Sequence, residues 1–205
     1  MPWPDTVTLS SDRVTLAPLD RGHLEGLRTA VADGELWALW YTFVPTPDAM
    51  SREIERRLKL RESGSMLPFA VIENATGDVV GMTTFMNIDA ANKRVEIGST
   101  WYRKRVQRTD VNTHCKLLML QHAFETLDCI AVEFRTHFFN QQSRRAIERL
   151  GAKLDGILRS HQRASNGTLR DTCVYSIVAA EWPTVKAHLT FQLSRARDSK
   201  SLGDH

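Results

Sequence analysis

One unit constrains this chain more than any other. An extended run, Arg94–Tyr102, leads into the loop Val106-Gln107-Arg108-Thr109-Asp110-Val111-Asn112-Thr113. A long helical run follows over 111–127, then a compact apolar strand over 129–136. Strand, helix and strand in that order make a crossover, which parallel neighbours in a sheet require. Val95, Ile97, Ser99 and Trp101 alternate with Arg94, Glu96, Gly98, Thr100 and Tyr102, so the two sets should face opposite sides of the sheet. Gly98 inside the strand predicts a bulge or a close approach to the backbone. The loop at the helix start leaves backbone N–H groups unpaired, with the helix dipole behind them. With Arg103, Lys104, Arg105 and Arg108 around it, it reads either as a phosphate cradle or as a solvated basic face.

The rest of the chain supplies the partners of this unit. Residues 13–19 alternate as a first strand, and Asp20 can cap the helix that follows, closed by Gly34. Asp48 or Ser51 can cap a helix reaching Glu62, whose Arg52, Glu53, Glu55, Arg56 and Arg57 read as a solvated face. Residues 67–73 and 79–87 form a hairpin about Ala75-Thr76-Gly77-Asp78. Asn140 caps a helix over 141–150, closed by Gly151. Residues 153–162 and 171–178 pair about Ser165-Asn166-Gly167, and a helix begins near Pro183. Beyond Arg195 the polar tail reads as disordered. Hairpins mixed with crossovers predict an α/β protein with a mixed central sheet flanked by helices, in a single domain over 1–205 with its core over about 11–195.

Composition narrows the function. No apolar run approaches the roughly 20 residues that a membrane helix needs. The N-terminus lacks a basic start and an apolar segment, so a cytoplasmic protein is expected. Cys115, Cys129 and Cys173 are odd in number and lack CxxC spacing, which fits reduced thiols. No metal site is expected: Cys115 and His122 are separated by roughly 10.5 Å of helix rise, and His114 and His122 fail in the same way. A net charge of +3 is too mild to argue for nucleic acid, and no reading motif for it is present. Trp37, Trp40, Tyr41 and Phe43 lie close together, either as core or as an aromatic wall for a substrate.

Four pieces then resemble the GCN5-related N-acetyltransferases, and within them the ribosomal-protein N-terminal (RimJ/RimL-type) branch. They are Val95-Glu96-Ile97-Gly98 with Trp101 and the cradle 107–112; Val111-Asn112-Thr113 leading into Lys116-Leu117-Leu118; Asn140-Gln141-Gln142-Ser143 with Ala146-Ile147 and Leu150-Gly151-Ala152; and Arg170-Asp171-Thr172 with Tyr175 and Ile177. The resemblance covers roughly 11–193. It implies a partly splayed sheet, with the pantetheine of acetyl-CoA between the strands over 94–102 and 129–136. Backbone N–H groups near Trp101 would polarise the acetyl carbonyl. Gln107, Arg108, Thr109, Asp110, Val111, Asn112 and Thr113 would cradle the pyrophosphate, and Lys104, Arg105 and Arg108 would meet the remaining phosphates. Asn140 would hold the pantetheine arm.

The same resemblance implies direct acetyl transfer to an amine, on a protein N-terminus or a small molecule. Glu96 would be the base; otherwise it is a strand residue paired with Arg94 or Lys93. Many family members carry a tyrosine acid where this chain has Ile147, so Ser143, one turn earlier, would take that role or else help to cap its helix. Asp171 would receive the substrate ammonium, unless it pairs with Arg170 or Arg163, and Trp37, Trp40 and Tyr41 would wall the acceptor. Asp110 and Asn112 stand where the family prefers small residues. Asp110 brings a negative charge to a pyrophosphate, so it turns to solvent or Arg108, or binding is weak. The alternative function is a catalytically weak acyl-CoA-binding or sensor protein of the same fold. A homodimer is compatible with the sequence.

Overall fold

The computed structural model describes residues 3–164 and 166–201, with backbone alone for 196–201. In chain order the elements are β1 (Leu9–Ser10), β2 (Val14–Pro18), α1 (Leu24–Ala32), α2 (Met50–Glu62), β3 (Met66–Glu73), β4 (Asp78–Asp89), β5 (Arg94–Tyr102), α3 (Val111–Gln121), β6 (Ala131–His137), α4 (Gln141–Arg149), β7 (Lys153–Arg163), β8 (Leu169–Val178) and α5 (Trp182–Ser201). The strands form one sheet in the order β1-β2-β3-β4-β5-β6-β8-β7. The β5–β6 pair is parallel, and the other neighbours run antiparallel. This is the mixed sheet expected. The β3–β4 and β7–β8 hairpins form as read, although Ser165 of the second turn lies outside the described residues. Helix α5 continues to Ser201, past the expected stop at Arg195; the remainder of the expected tail, 202–205, also lies outside them. Among the described residues no helix is long and apolar enough to cross a membrane.

Apolar side chains fill both faces of the sheet. One cluster joins Val95, Ile97 and Phe134 of the sheet to Val111, Cys115, Met119 and Leu120 of α3, Ile147 of α4 and Leu189 of α5. The other joins Ala70 and Met82 to Leu27 and Val31 of α1 and Ile54 and Leu58 of α2. Helices therefore cover both faces, as the burial of period-2 strands against amphipathic helices requires. All three cysteines are free and buried.

Two irregularities open this sheet. The β5–β6 ladder begins at Arg94↔Ala131 and ends at Glu96↔Glu133, although β5 runs on to Tyr102 and β6 to His137. Beyond that rung the parallel strands part. On the other side of β5, Thr84 faces Gly98 while Met82 faces Trp101, so β5 carries an extra residue opposite β4. Ser99 sits in this bulge with φ of +48°. Gly98 precedes it for a steric reason: a Cβ there would lie 2.7 Å from Met86 Sδ and 2.8 Å from Glu96 Oε1. The bulge corrects the expected alternation. Val95 and Ile97 face α3, whereas Trp101 joins the α1–α2 core on the opposite face.

Helix α2 departs from expectation twice. Its N-cap is Ala49, with no side-chain cap from Asp48 or Ser51. Its charged stripe is not wholly solvated, because Glu53 and Arg57 are buried and hydrogen-bonded at 2.7 Å. Arg57 reaches on to Thr84 Oγ1 at 2.6 Å and to the carbonyl of Ser99 at 3.3 Å, tying α2 to the bulge.

Candidate active site

Where β5 and β6 part, a cleft of about 960 Å³ crosses the sheet, lined from β5, β6, β8 and the N-terminal turns of α3 and α4. At one end lies the loop before α3. Gln107 Nε2 donates to the carbonyl of Tyr102 at 2.9 Å, which fixes the start of the loop. Arg108 adopts φ of +63°, and its exposed side chain borders the cleft. Thr109 Oγ1 donates to the carbonyl of Val106 at 2.7 Å and accepts from Val111 N–H at 3.3 Å. Helix α3 has no side-chain cap at Asp110, and its hydrogen-bond ladder starts with His114 N–H to Asp110 O. The N–H groups of Asn112 and Thr113 precede that rung, and helix geometry leaves them without intrahelical acceptors.

The eight-residue loop does not act as one surface. Gln107, Arg108, Thr109 and Asn112 line the main cleft. Asp110 and Thr113 line a second hollow beside α5, and Val111 is fully buried in the core. Asp110 is largely withdrawn from solvent, its side chain 12% exposed. It receives Arg13 Nε at 3.3 Å, and Arg13 also binds Glu73 at 2.9 Å.

Two expected phosphate ligands are elsewhere. Arg105 holds Glu73 at 2.6 Å and Asp78 at 2.9 Å. Lys104 lies against Gly34, at the end of α1, with its N–H on the carbonyl of Asp33. Arg103 binds Asp33 at 3.1 Å. The tight turn Lys104–Val106 packs this basic cluster onto carboxylates of α1, β3 and β4, so neither Lys104 nor Arg105 borders either hollow.

Glu96 stands on the last paired rung of β5–β6, 5% exposed. Burial raises its carboxyl above the ordinary range, against the opposing pull of Asn87 and Arg135. Asn87 Nδ2 donates to it at 2.6 Å, and Arg135 Nε is 3.5 Å away. Neither expected surface partner reaches it: Arg94 binds Glu133 at 2.6 Å, and Lys93 lies over the Trp3 ring. Across the gap, Asn140 caps α4 by accepting from Ser143 N–H at 3.0 Å, as read from the sequence. Asn140, Ser143 and, one turn on, Ile147 all line the cleft.

The acceptor-side expectations divide. Tyr41 lines the cleft. Trp40, half exposed, meets Tyr41, His137 and Phe139 at ring centroid distances of 5.6, 5.2 and 6.1 Å. Trp37 instead packs on the α1–α2 core. Asp171 is engaged by Arg159 Nε at 2.6 Å and by Ser160 N–H at 2.7 Å, and neither Arg170 nor Arg163 is its partner. Strand alternation explains why it misses the cleft: Arg170 and Thr172, its neighbours on β8, are the residues that line it.

Three cleft residues were not picked out as site residues from the sequence. Lys116 is buried, with Nζ donating to Thr83 Oγ1 at 3.0 Å and Thr100 Oγ1 at 2.9 Å, and burial lowers its ammonium to about 8. Its position one helical turn after Asn112 was the available signal. His137 is 3% exposed at the end of β6. Its Nδ1 accepts from Phe139 N–H at 3.1 Å, which puts the proton of the neutral ring on Nε2. Burial and then the Arg170 charge lower its pKa. Arg170 is half-buried, with Nε donating to Thr172 Oγ1 at 3.1 Å.

Comparison with known proteins agrees with this geometry. The family model described as an acetyltransferase (GNAT) domain matches residues 13–153. YdaF of Bacillus subtilis (strain 168), provisionally named a ribosomal N-acetyltransferase, is 30% identical over 106 residues, which span 52% of this chain and 57% of YdaF. The crystal structure of a GCN5-related N-acetyltransferase from Brucella melitensis superposes with a TM-score of 0.82 at 32% identity, over 92% of this chain and 86% of that one. The apo structure of RimL, the ribosomal L7/L12 α-N-protein acetyltransferase, shares the fold, with a TM-score of 0.75 at 18% identity over 84% and 94% of the two chains. The splayed sheet and the matched domain together identify the chain as an acetyltransferase of the GNAT family.

Proposed function

We propose that this chain binds acetyl-CoA, the acetyl donor of its family, in the cleft between β5 and β6 and transfers the acetyl group directly to an amine. The observation that carries this reading is the end of the β5–β6 ladder at Glu96↔Glu133, which leaves a buried carboxylate at the fork of an open cleft. The residues present fit the donor. The uncapped N-terminus of α3 offers N–H groups to a pyrophosphate, and Arg108 adds a positive charge at the same end. Asn140 engages its Oδ1 as a helix cap, which leaves its amide N–H₂ for a pantetheine carbonyl. The bound thioester supplies an activated acetyl carbon.

The chain's own residues supply the proton transfers. Glu96 accepts the proton of the acceptor ammonium, directly or through water; its raised carboxyl keeps it basic enough for that role. Ser143, at the start of α4, donates a proton to the departing sulfur, the role that Ile147 cannot fill. Backbone N–H groups of β5 around the bulge and Trp101 stabilise charge on the carbonyl oxygen. The acceptor is an amine of a protein N-terminus or a small molecule, approaching past Tyr41 and Trp40. The name of YdaF favours ribosomal-protein N-termini among the candidates.

The buried Ile147 favours a second reading, an acyl-CoA sensor with weak turnover. One experiment separates the two. Acetyl-CoA raises the melting temperature under either reading, but only an enzyme releases free thiol in proportion to added amine.

A further inference from the structure

Three arginines lining the cleft are buried or half-buried: Arg57, Arg135 and Arg170. Arg57 ends on Glu53 at 2.7 Å and Arg135 on Glu133 at 2.9 Å. Arg170 has no carboxylate within 4.0 Å among the described residues. Its one hydrogen bond there is from Nε to the neutral hydroxyl of Thr172. That bond fixes the guanidinium plane and leaves both terminal amino groups without a protein acceptor. A charge partly withdrawn from water, with Glu96 acting on it only from beyond ion-pair contact, is costly, and a ligand anion would relieve that cost.

A second donor stands close by. His137 Nε2 is buried with no hydrogen-bond partner, although Nδ1 is fully engaged by Phe139 N–H. Glu96, His137 and Arg170 all line the cleft, and His137 pairs across the β6–β8 ladder with Thr172, two residues from Arg170; the Arg170 charge acts on both His137 and Glu96. Arg135 also lines this end, and Asp171 acts on His137 from outside the cleft, but Glu133 and Arg159 already hold them.

Resting on the acetyl-transfer reading, we infer that Arg170, with His137 Nε2–H beside it, binds a carboxylate of the acceptor, and that the enzyme selects amines carrying one. The amine lies at Glu96 and the carboxylate at Arg170. The two terminal amino groups of Arg170 meet the carboxylate oxygens as a fork, a geometry that a point charge does not provide. The carboxylate comes either from a free amino acid or from an acidic side chain at the start of a peptide; the chemistry recognised is the same.

The test uses matched acceptors with acetyl-CoA and follows free thiol. One arm compares amino acids with their carboxamides. The other compares peptides beginning with Asp or Glu with those beginning with Asn or Gln. In at least one arm kcat/KM for the acidic member exceeds that for its amide by about tenfold or more, the discrimination expected of a charge-assisted hydrogen bond; the responding arm identifies the source. In Arg170→Gln that ratio falls to about one, through KM for the acidic acceptor, and Arg170→Lys restores part of it. A melting temperature close to native shows that the loss is not unfolding. Equal kcat/KM for acid and amide in both arms overturns the carboxylate site while leaving the transferase reading intact. So does Arg170→Gln that retains the preference and moves only the acid limb of the pH profile, since Arg170 would then serve Glu96. Thiol release with no amine at all overturns the transferase reading, and the site with it.

Discussion

Residues 103–105 and residues 108–113 are neighbours in sequence and differ completely in what their charges and donors face. Arg103 and Arg105 are held by Asp33, Glu73 and Asp78, and Lys104 lies on Gly34. Three residues later, Arg108 and the uncapped start of α3 face an open cleft. The first stretch joins α1 to the β3–β4 hairpin, and in the second Arg108, Thr109 and Asn112 border the cleft. A basic cluster in a sequence therefore describes an anion site only where no protein carboxylate reaches it first. Arg170 and Lys116 extend the contrast, since both are cations in the cleft with only hydroxyl hydrogen-bond partners.

The largest effect expected from this contrast is at the fork. Glu96→Gln removes the base and should lower kcat by about a hundredfold or more, measured as amine-dependent thiol release. A fall below threefold would show that the buried carboxylate is a structural partner of Asn87 and Arg135.

Lys116 tests the cost of an unpaired cation. Its ammonium falls from 10.5 in the unfolded chain to about 8 in the fold. The charged form is therefore penalised below pH 8, and the penalty is relieved between pH 8 and 10.5, where the folded protein binds fewer protons than the unfolded chain. Lys116→Met should raise stability at pH 7 by up to about 3 kcal/mol, and that gain should shrink as pH rises through this window. Thr83 and Thr100 remain bonded to each other at 2.8 Å, so no hydroxyl is stranded. A gain independent of pH, followed by chemical denaturation, would contradict the account.

The contrast itself is tested by a pair of variants. Arg108→Ala should raise KM for acetyl-CoA about tenfold, the value of one charge-assisted contact, with little change in melting temperature. Arg105→Ala should leave that KM within about twofold and lower stability by roughly 1 kcal/mol, as for a partly exposed ion pair. The reverse pattern would show that the phosphates lie at the first stretch. The smallest effect belongs to Asp110. With Arg13 already on its carboxylate, Asp110→Asn should change KM for acetyl-CoA less than about threefold and stability by less than about 1 kcal/mol. A large gain in acetyl-CoA affinity would show instead that its charge opposes the pyrophosphate.

Features governed by local chemistry were legible in the sequence. The strand over 94–102, the bulge at Gly98 and the Asn140 cap each depend on residues a few positions apart. Partner choice was not legible. Asp171 and Arg159 meet across a hairpin, Arg105 and Glu73 across 32 positions, and Arg13 and Asp110 across 97. Several carboxylates compete for each arginine, and local pattern does not rank them. Trp101 was assigned to the wrong face for a related reason: Gly98 was read as a bulge or a close approach, but alternation was carried straight through it, and one extra residue reverses every side chain that follows. Arg170 was noted in the family-like piece Arg170-Asp171-Thr172 and as a partner for Asp171, but not as a site residue, although strand alternation allows just one of the two into the cleft.

The most direct test of the central claim is the rate of free thiol release from acetyl-CoA, measured against pH with an amine panel, for the native protein and for Glu96→Gln. The native rate should depend on amine. It should rise with pH through a limb above the ordinary carboxylate value of 4.5, because burial raises Glu96 and the deprotonated form is the base. That limb should vanish in Glu96→Gln. Acetyl-CoA binding without amine-dependent thiol release, or an unchanged limb in the variant, would contradict the account.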